Sequence, residues 1–279
     1  MAFKFILIPI MARAVHPFYQ SHCVREWAGE GGLSNFSQKM LMIAARSIAP
    51  LKRADYIAAM TDLKTNLING YQSFRAGHYV AQKALYENLG TKGQSPKVML
   101  IACADSRVDP TDIFNAYPGE MFVARNVANI VPPLDETGGY HGTSSAIEYA
   151  VKILKVEMIV ILGHESCGGI KGCLDGLGEA EDGGYVGQWV SLINGVRDRV
   201  LARNVPEDQI TFEMELEVVR QSMTNLMTFP FVKDAVENGT LTLQGAYFSI
   251  IQAKLMMSND AGEFHLIADA AATTHVLDD

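Results

Sequence analysis

The chain has 279 residues, of which 48% are apolar and 19% are charged, and its formal net charge is −8. This composition is typical of a globular protein with one large domain or two small ones, and it excludes an intrinsically disordered chain. The acidic balance argues against a nucleic-acid-binding protein, and no apolar run reaches the roughly 18 residues that a membrane span needs.

The first 60 residues differ from the rest of the chain in charge. They hold seven Lys and Arg against three Asp and Glu, whereas the remainder is acidic. The opening run MAFKFILIPIMA has the outline of a secretory signal, but Pro9 interrupts it and Lys4 is its single positive charge. We interpret residues 1–59 as an extension, either disordered or preceding the true start, and residues 60–279 as one domain that carries the chemistry.

Regular patterning begins at Met60. Apolar spacing predicts helices over 62–74, with Thr61 as N-cap, and over 78–89, ending at Gly90. The short apolar runs KVMLIAC, EMFVAR and VEMIVILGH predict buried strands, with helices over 109–117 and 144–155 between them. Further helices are expected over 186–202 and 207–228, followed by strands in TLTLQGAYFSI and EFHLIA. This alternation predicts an α/β fold: a mainly parallel central sheet of four to five strands, flanked by helices, with an N-terminal helical arm.

The chain contains four cysteines, Cys23, Cys103, Cys167 and Cys173. Four in a chain of this length do not predict a disulfide framework. A metal-binding or reactive-thiol role is favoured instead, in a reducing compartment. We therefore predict a cytoplasmic protein. The alternative is that the N-terminal apolar run is a targeting segment.

The chemically versatile residues follow two of the predicted strands. The first strand ends in CADSR (103–107) and the third in GHESCGG (163–169). The carboxyl ends of parallel strands meet at one edge of a sheet, where open α/β sheets bind their ligands. Two thiolates and one imidazole are ligands that zinc prefers, so Cys103, His164 and Cys167 are predicted to bind zinc.

Three protein ligands favour a catalytic zinc ion over a structural one, because a catalytic site keeps one position open. Cys173 is the alternative fourth ligand, but a buried inert thiol is the favoured interpretation of this residue. Asp105 and Arg107 alternate with Cys103. Taken alone they predict a local salt bridge, and beside a metal ligand Arg107 can hold Asp105 ionised to accept a hydrogen bond from metal-bound water.

Four segments in order, ACADSRVDP, FVARNVAN, AIEYAV and GHESCGGIKG, resemble the beta-class carbonic anhydrases, and GQSPK resembles their plant-type branch. The resemblance implies reversible hydration of CO2 to bicarbonate by attack of zinc-bound hydroxide, with one zinc ion per subunit. It implies Cys103, His164 and Cys167 as zinc ligands and Asp105 and Arg107 as the catalytic pair. It also makes Asp105 a conditional fourth ligand in a closed state.

The same resemblance implies a substrate pocket and an assembly. Its pocket residues would be Gln94, Phe122, Val127, Tyr149 and Gly168, and the protein would be a homodimer or a higher homo-oligomer. The chain has no tryptophan where another branch of the family builds a regulatory bicarbonate pocket. We therefore expect an open site near neutral pH, with Asp105 paired to Arg107.

Two alternatives remain at this point. One is a hydrolase of CS2 or COS on the same fold, which pocket access would decide. The other is a noncatalytic zinc-binding or redox-sensing protein. The Asp105–Arg107 pair argues against the second, because a purely structural metal site does not need it.

Overall fold

The computed structural model describes residues 63–135 and 141–267, so the expected extension over residues 1–59 and the expected cap Thr61 lie outside the described residues. The chain divides into two units between His78 and Tyr79. In the first unit, helix α1 spans Leu63–Ala76, close to the predicted 62–74. Leu63, Leu67 and Tyr71 recur at four-residue spacing and form an apolar stripe along α1.

The remaining helices and strands follow in chain order. They are α2 (His78–Ala81), α3 (Lys83–Lys92), β1 (Val98–Cys103), α4 (Pro110–Ile113), β2 (Met121–Asn126), α5 (Gly142–Glu148, continued as a π-helix over Tyr149–Leu154), β3 (Met158–His164), α6 (Gly168–Leu174), α7 (Gly184–Val190), α8 (Asn194–Leu201), α9 (Ile210–Leu226), α10 (Pro230–Glu237), β4 (Thr242–Ser249), β5 (Lys254–Ser258) and β6 (Phe264–Leu266). Short 3₁₀ turns lie at Val127–Asn129, Leu177–Glu179, Ser191–Ile193 and Glu207–Gln209.

Six strands of the described residues form one sheet in the order β2-β1-β3-β4-β5-β6. The β1–β2, β1–β3 and β3–β4 pairs are parallel, whereas β4–β5 and β5–β6 are antiparallel. The α/β class and the mainly parallel sheet are therefore confirmed. The sequence prediction missed β5, because no Gly or Pro in SIIQAKLMMS marks the turn between β4 and β5. The β4–β5 turn instead uses Ala253 at a φ of 51°.

Some helix boundaries differ from the prediction. The helix predicted over 78–89 is divided into α2 and α3, and α3 continues through Gly90 to Lys92. Its C-cap is Gly93, whose φ of 83° suits glycine and whose N–H donates to the Leu89 carbonyl. The predicted helix over 186–202 is divided into α7 and α8 by the turn at Ser191–Ile193. Helix α10 was not predicted.

Strands β1 and β3 are buried on both faces, which is why their sequences are almost wholly apolar. On one face, Met99, Ile101 and Ile161 pack in a cluster with side chains of α5, α9 and α10. On the other face, Leu100 and Leu162 belong to a second cluster. Each fully buried side chain contributes roughly 2 kcal/mol, so β1 and β3 hold their carboxyl ends firmly in place. Among the described helices, none combines the length and apolarity that crossing a bilayer requires.

Candidate metal centre

Three side chains converge where β1 and β3 end. Cys103 is the last residue of β1, His164 the last of β3, and Cys167 immediately precedes α6. Their ligand atoms all lie within 4.8 Å of one another, and the two sulfurs are 3.9 Å apart. All three side chains are buried, and they form the one such group found in the described part of the chain.

The ring of His164 is prepared to ligate a cation. Its Nδ1 lies 2.9 Å from the Glu165 carbonyl oxygen, to which it donates a proton in the neutral tautomer. Its Nε2 is buried and has no hydrogen-bond partner. An unpartnered ring nitrogen is costly to bury. The ligand atoms of His164 and the two cysteines are close enough to share one ion, so these residues fit a bound metal ion.

The two thiols differ in acidity. The pKa of Cys103 falls to about 4, chiefly because the Cys167 thiol donates a hydrogen bond to its sulfur, and the Ala128 N–H, 3.4 Å away, lowers it further. The pKa of Cys167 is raised, because it donates this hydrogen bond and is buried. A bound cation would favour the thiolate form of both residues.

Asp105 and Arg107 lie beside this group and form a two-point ion pair. The Arg107 Nε donates to Asp105 Oδ1 at 2.9 Å, and Nη2 donates to Oδ2 at 2.7 Å. These hydrogen bonds hold the pKa of Asp105 well below its usual range. Arg107 Nη2 also donates to the Ser166 carbonyl at 3.0 Å, which ties the pair to the loop that carries Cys167. This is the pairing expected for an open site.

Arg125 fixes the loop between β1 and α4, and sequence reasoning gave it no role. Its guanidinium donates to the carbonyls of Cys103 (2.9 Å), Asp105 (2.7 Å) and Val108 (3.1 Å) and pairs with the Asp109 carboxylate. Asp109 also caps α4 by accepting from the Thr111 N–H, as predicted. The only signal in the sequence was an arginine on the strand that pairs with β1.

Val127 and Gly168, two of the expected pocket residues, adjoin the metal ligands. Val127 follows Asn126, the β1 partner of Cys103, and its carbonyl accepts from the Trp189 Nε1–H at 2.8 Å. Val127, Val186, Tyr185 and Trp189 line an apolar recess of about 520 Å³. The sequence did not indicate Tyr185 or Trp189, because nothing in their spacing links α7 to β2.

The other three expected pocket residues lie elsewhere in the chain. Phe122 pairs with Met99, four residues before Cys103, so it lies roughly 13 Å along the strand from the ligand end. Tyr149 accompanies Phe122, with the ring centroids 5.7 Å apart. Gln94 is exposed and lies before the first residue of β1, whereas Cys103 is the last residue of that strand. One chain does not bring these residues to its own metal centre.

Cys173 does not join the group. It is buried in α6, burial raises the pKa of its thiol, and its sulfur lies 3.4 Å from Asn194 Oδ1. The expectation of a buried inert thiol accounts for this environment better than the alternative of a fourth ligand.

The fold and site together define an α/β protein with a buried Cys2His group that can hold a metal ion, beside an Asp–Arg pair. The family described as carbonic anhydrase matches residues 98–255. Beta carbonic anhydrase 3 of Arabidopsis thaliana is 34% identical over 197 residues, which cover 68% of this chain and 75% of the plant protein. The chain belongs to the beta carbonic anhydrase family and is a carbonic anhydrase.

Solved structures agree with this assignment. The beta-carbonic anhydrase CcaA is 30% identical with a TM-score of 0.67, covering 74% of this chain and 92% of CcaA. A Coccomyxa beta-carbonic anhydrase in complex with acetazolamide is 30% identical with a TM-score of 0.60, covering 70% and 85% of the two chains. Tetrameric beta-carbonic anhydrases of Sordaria macrospora are 29% identical with a TM-score of 0.54, covering 78% and 98%.

Proposed function

We propose that this protein catalyses the reversible hydration of CO2 to bicarbonate and a proton, with one zinc ion per chain held by Cys103, His164 and Cys167. The observation that carries the proposal is the unpartnered, buried Nε2 of His164 within ligand distance of two thiols. Family membership supports the reaction, and the soft sulfur ligands support zinc over magnesium or calcium.

A bound zinc ion supplies the Lewis acidity that makes water a nucleophile near neutral pH. The chain's own residues orient the reacting water and form the apolar surface that receives the substrate. The Asp105 carboxylate, held ionised by Arg107, accepts a hydrogen bond from the reacting water and fixes its direction. The apolar Val127 side chain faces a recess from which a small uncharged substrate displaces water at little cost.

We further propose that a second copy of the chain completes the substrate pocket. Phe122 of the edge strand β2 and Tyr149 of the π-helical end of α5 form a partly exposed aromatic pair, away from their own metal centre. An edge strand offers unpaired backbone groups to a partner, and a twofold dimer would bring the same surface of each copy to the other. The tetrameric Sordaria enzymes and the apolar stripe on α1 support a homo-oligomer. The cytoplasmic location stays a prediction.

Stopped-flow measurement of CO2 hydration tests the proposal. We expect catalysis with one zinc ion per chain, loss on chelation, return on addition of zinc, and inhibition by acetazolamide. The same preparation is then assayed for hydrolysis of CS2 and COS. Full CO2 hydration after complete removal of the metal would contradict the proposal, and turnover of CS2 or COS without CO2 hydration would replace its substrate.

A further inference from the structure

A buried carboxylate lies behind the metal-binding loop and has no role in the chemistry described so far. Glu215 of α9 is 1% exposed. Its Oε1 accepts from the Cys167 backbone N–H at 3.0 Å, and its Oε2 accepts from the Tyr247 hydroxyl at 2.8 Å. Burial raises the pKa of this carboxyl, yet both of its oxygens have donors. A buried acid with each oxygen engaged joins α9, β4 and the loop into one unit.

The peptide between Ser166 and Cys167 is held from both of its polar sides. Its N–H donates to Glu215, and its C=O accepts from Arg107 Nη2 at 3.0 Å. Ser166 has a φ of 57°, a left-handed conformation that a serine rarely adopts. The two hydrogen bonds therefore fix the plane of a peptide that the local backbone does not favour by itself.

We propose that Glu215 is a positioning residue for the Asp105–Arg107 pair, acting through the Ser166–Cys167 peptide. A carboxylate on the N–H side polarises the peptide and makes its carbonyl a stronger acceptor for Arg107. Arg107 in turn holds Asp105 at two points. The inference rests on the proposed function, because it assigns Glu215 to the alignment of the residue that orients the reacting water.

The ordinary alternative is that Glu215 only anchors the Cys167 backbone in the core. Both roles predict a loss of stability when the side chain is truncated, so truncation does not separate them. They differ when the side chain keeps its shape and loses its charge. An amide still accepts from the Cys167 N–H, but it polarises the peptide less and leaves Arg107 with a weaker acceptor.

The test compares Glu215→Gln with Glu217→Gln in the zinc-loaded protein. Glu217 is the matched control, because it lies on the same helix, is largely buried and pairs with Arg203 and Arg220 rather than with the loop. We expect Glu215→Gln to keep one zinc ion per chain, to lose roughly tenfold in kcat with little change in KM, and to release zinc to a chelator faster. Glu217→Gln should keep kcat and the zinc release rate of the wild type.

Crystal structures of both variants give a measurement that does not depend on activity. In Glu215→Gln we expect the Arg107 Nη2 to Ser166 carbonyl distance to lengthen beyond the 3.0 Å of the wild type, whereas Glu217→Gln should keep it. Tyr247→Phe removes one donor to Glu215 and should lower kcat by roughly threefold. This variant carries the test if Glu215→Gln does not fold.

Wild-type kcat and an unchanged Arg107–Ser166 contact in Glu215→Gln would overturn the proposal. If Glu215→Gln does not fold, wild-type kcat in Tyr247→Phe would overturn it instead. A wild-type protein without CO2 hydration would remove the proposed function, and the crystallographic distance would then still decide whether Glu215 positions Arg107.

Discussion

Two regions of the molecule differ in how much of a functional site one chain supplies. One is the ligand end of the sheet, where β1 and β3 end, and the other is the aromatic pair of Phe122 and Tyr149. At the ligand end, Cys103, His164 and Cys167 are buried, and hydrogen bonds within the chain hold their loops. The aromatic pair formed by Phe122 of β2 and Tyr149 of α5 is partly exposed, with Tyr149 45% accessible. The group that can hold a metal ion is therefore complete in one chain, whereas we propose that a second copy completes the substrate pocket.

This difference implies that substitutions in the two regions should fail in different ways. Damage at the ligand end should remove metal and activity together, in the chain that carries it. Damage to the aromatic pair should leave the metal bound and weaken the site of another copy.

Cys103→Ser should give the largest effect. It removes a sulfur that lies 3.9 Å from Cys167, so we expect loss of most zinc and of at least about 100-fold in kcat/KM. Zinc content by atomic emission and CO2 hydration by stopped flow measure both. Cys173→Ser is the matched control and should keep one zinc ion per chain. Full zinc content in Cys103→Ser would remove this residue from the site.

Asp105→Asn should separate the rate from metal binding. The amide keeps the size of the side chain but removes the charge that Arg107 holds, so kcat should fall by about 100-fold with zinc retained. Asp112→Asn, an exposed change in the next helix, serves as the control. Wild-type kcat in Asp105→Asn at all pH values would refute the orienting role of Asp105.

Tyr149→Ala should lower kcat/KM by roughly tenfold while zinc content and the free energy of unfolding stay near those of the wild type. The ring is partly exposed in one chain, so its loss creates no cavity there. Tyr117→Ala, at a 53% exposed tyrosine, is the control and should behave as the wild type. An unchanged kcat/KM in Tyr149→Ala would take this ring out of the pocket.

Gly169→Ala and Gly168→Ala should differ mainly in stability. A Cβ at Gly169 would lie 2.6 Å from Val127 Cγ1 and 3.0 Å from the Ala128 Cβ, whereas one at Gly168 would meet no atom within 4 Å. We expect Gly169→Ala to lower the free energy of unfolding by about 1–3 kcal/mol and Gly168→Ala to leave it unchanged. Chemical denaturation measures both, and equal stabilities would contradict the packing described for Val127.

Much of the fold could be predicted from the sequence, because buried parallel strands consist of short, mostly apolar runs. β1 and β3 have this pattern, and their alternation with helices indicated the parallel sheet. β5 was missed, because the turn before it uses Ala253 in a left-handed conformation and not a glycine. The end of α3 was misplaced at Gly90, because a glycine inside a helix and a glycine that ends one look alike until Gly93 is seen to have a positive φ.

The convergence of Cys103, His164 and Cys167 could be predicted, because their residue types and strand-end positions carry the signal by themselves. Arg125, Glu215 and Tyr247 could not, because each acts through a backbone group that only the fold brings near. The distance of Phe122 from the ligand end was also not evident, since it depends on the register between β1 and β2.

Mixing two impaired variants is the sharpest test of the division between the chains. Cys103→Ser lacks the metal centre, and the double variant Phe122→Ala with Tyr149→Ala lacks the aromatic pair. After joint refolding, a mixed dimer should contain one intact site, formed by the metal centre of one chain and the aromatic pair of the other. We expect recovery of about a quarter of the wild-type CO2 hydration rate in an equal mixture, because about half of the dimers are mixed and each of these holds one intact site. No recovery beyond the sum of the separate variants, with mixed dimers shown to form, would contradict it.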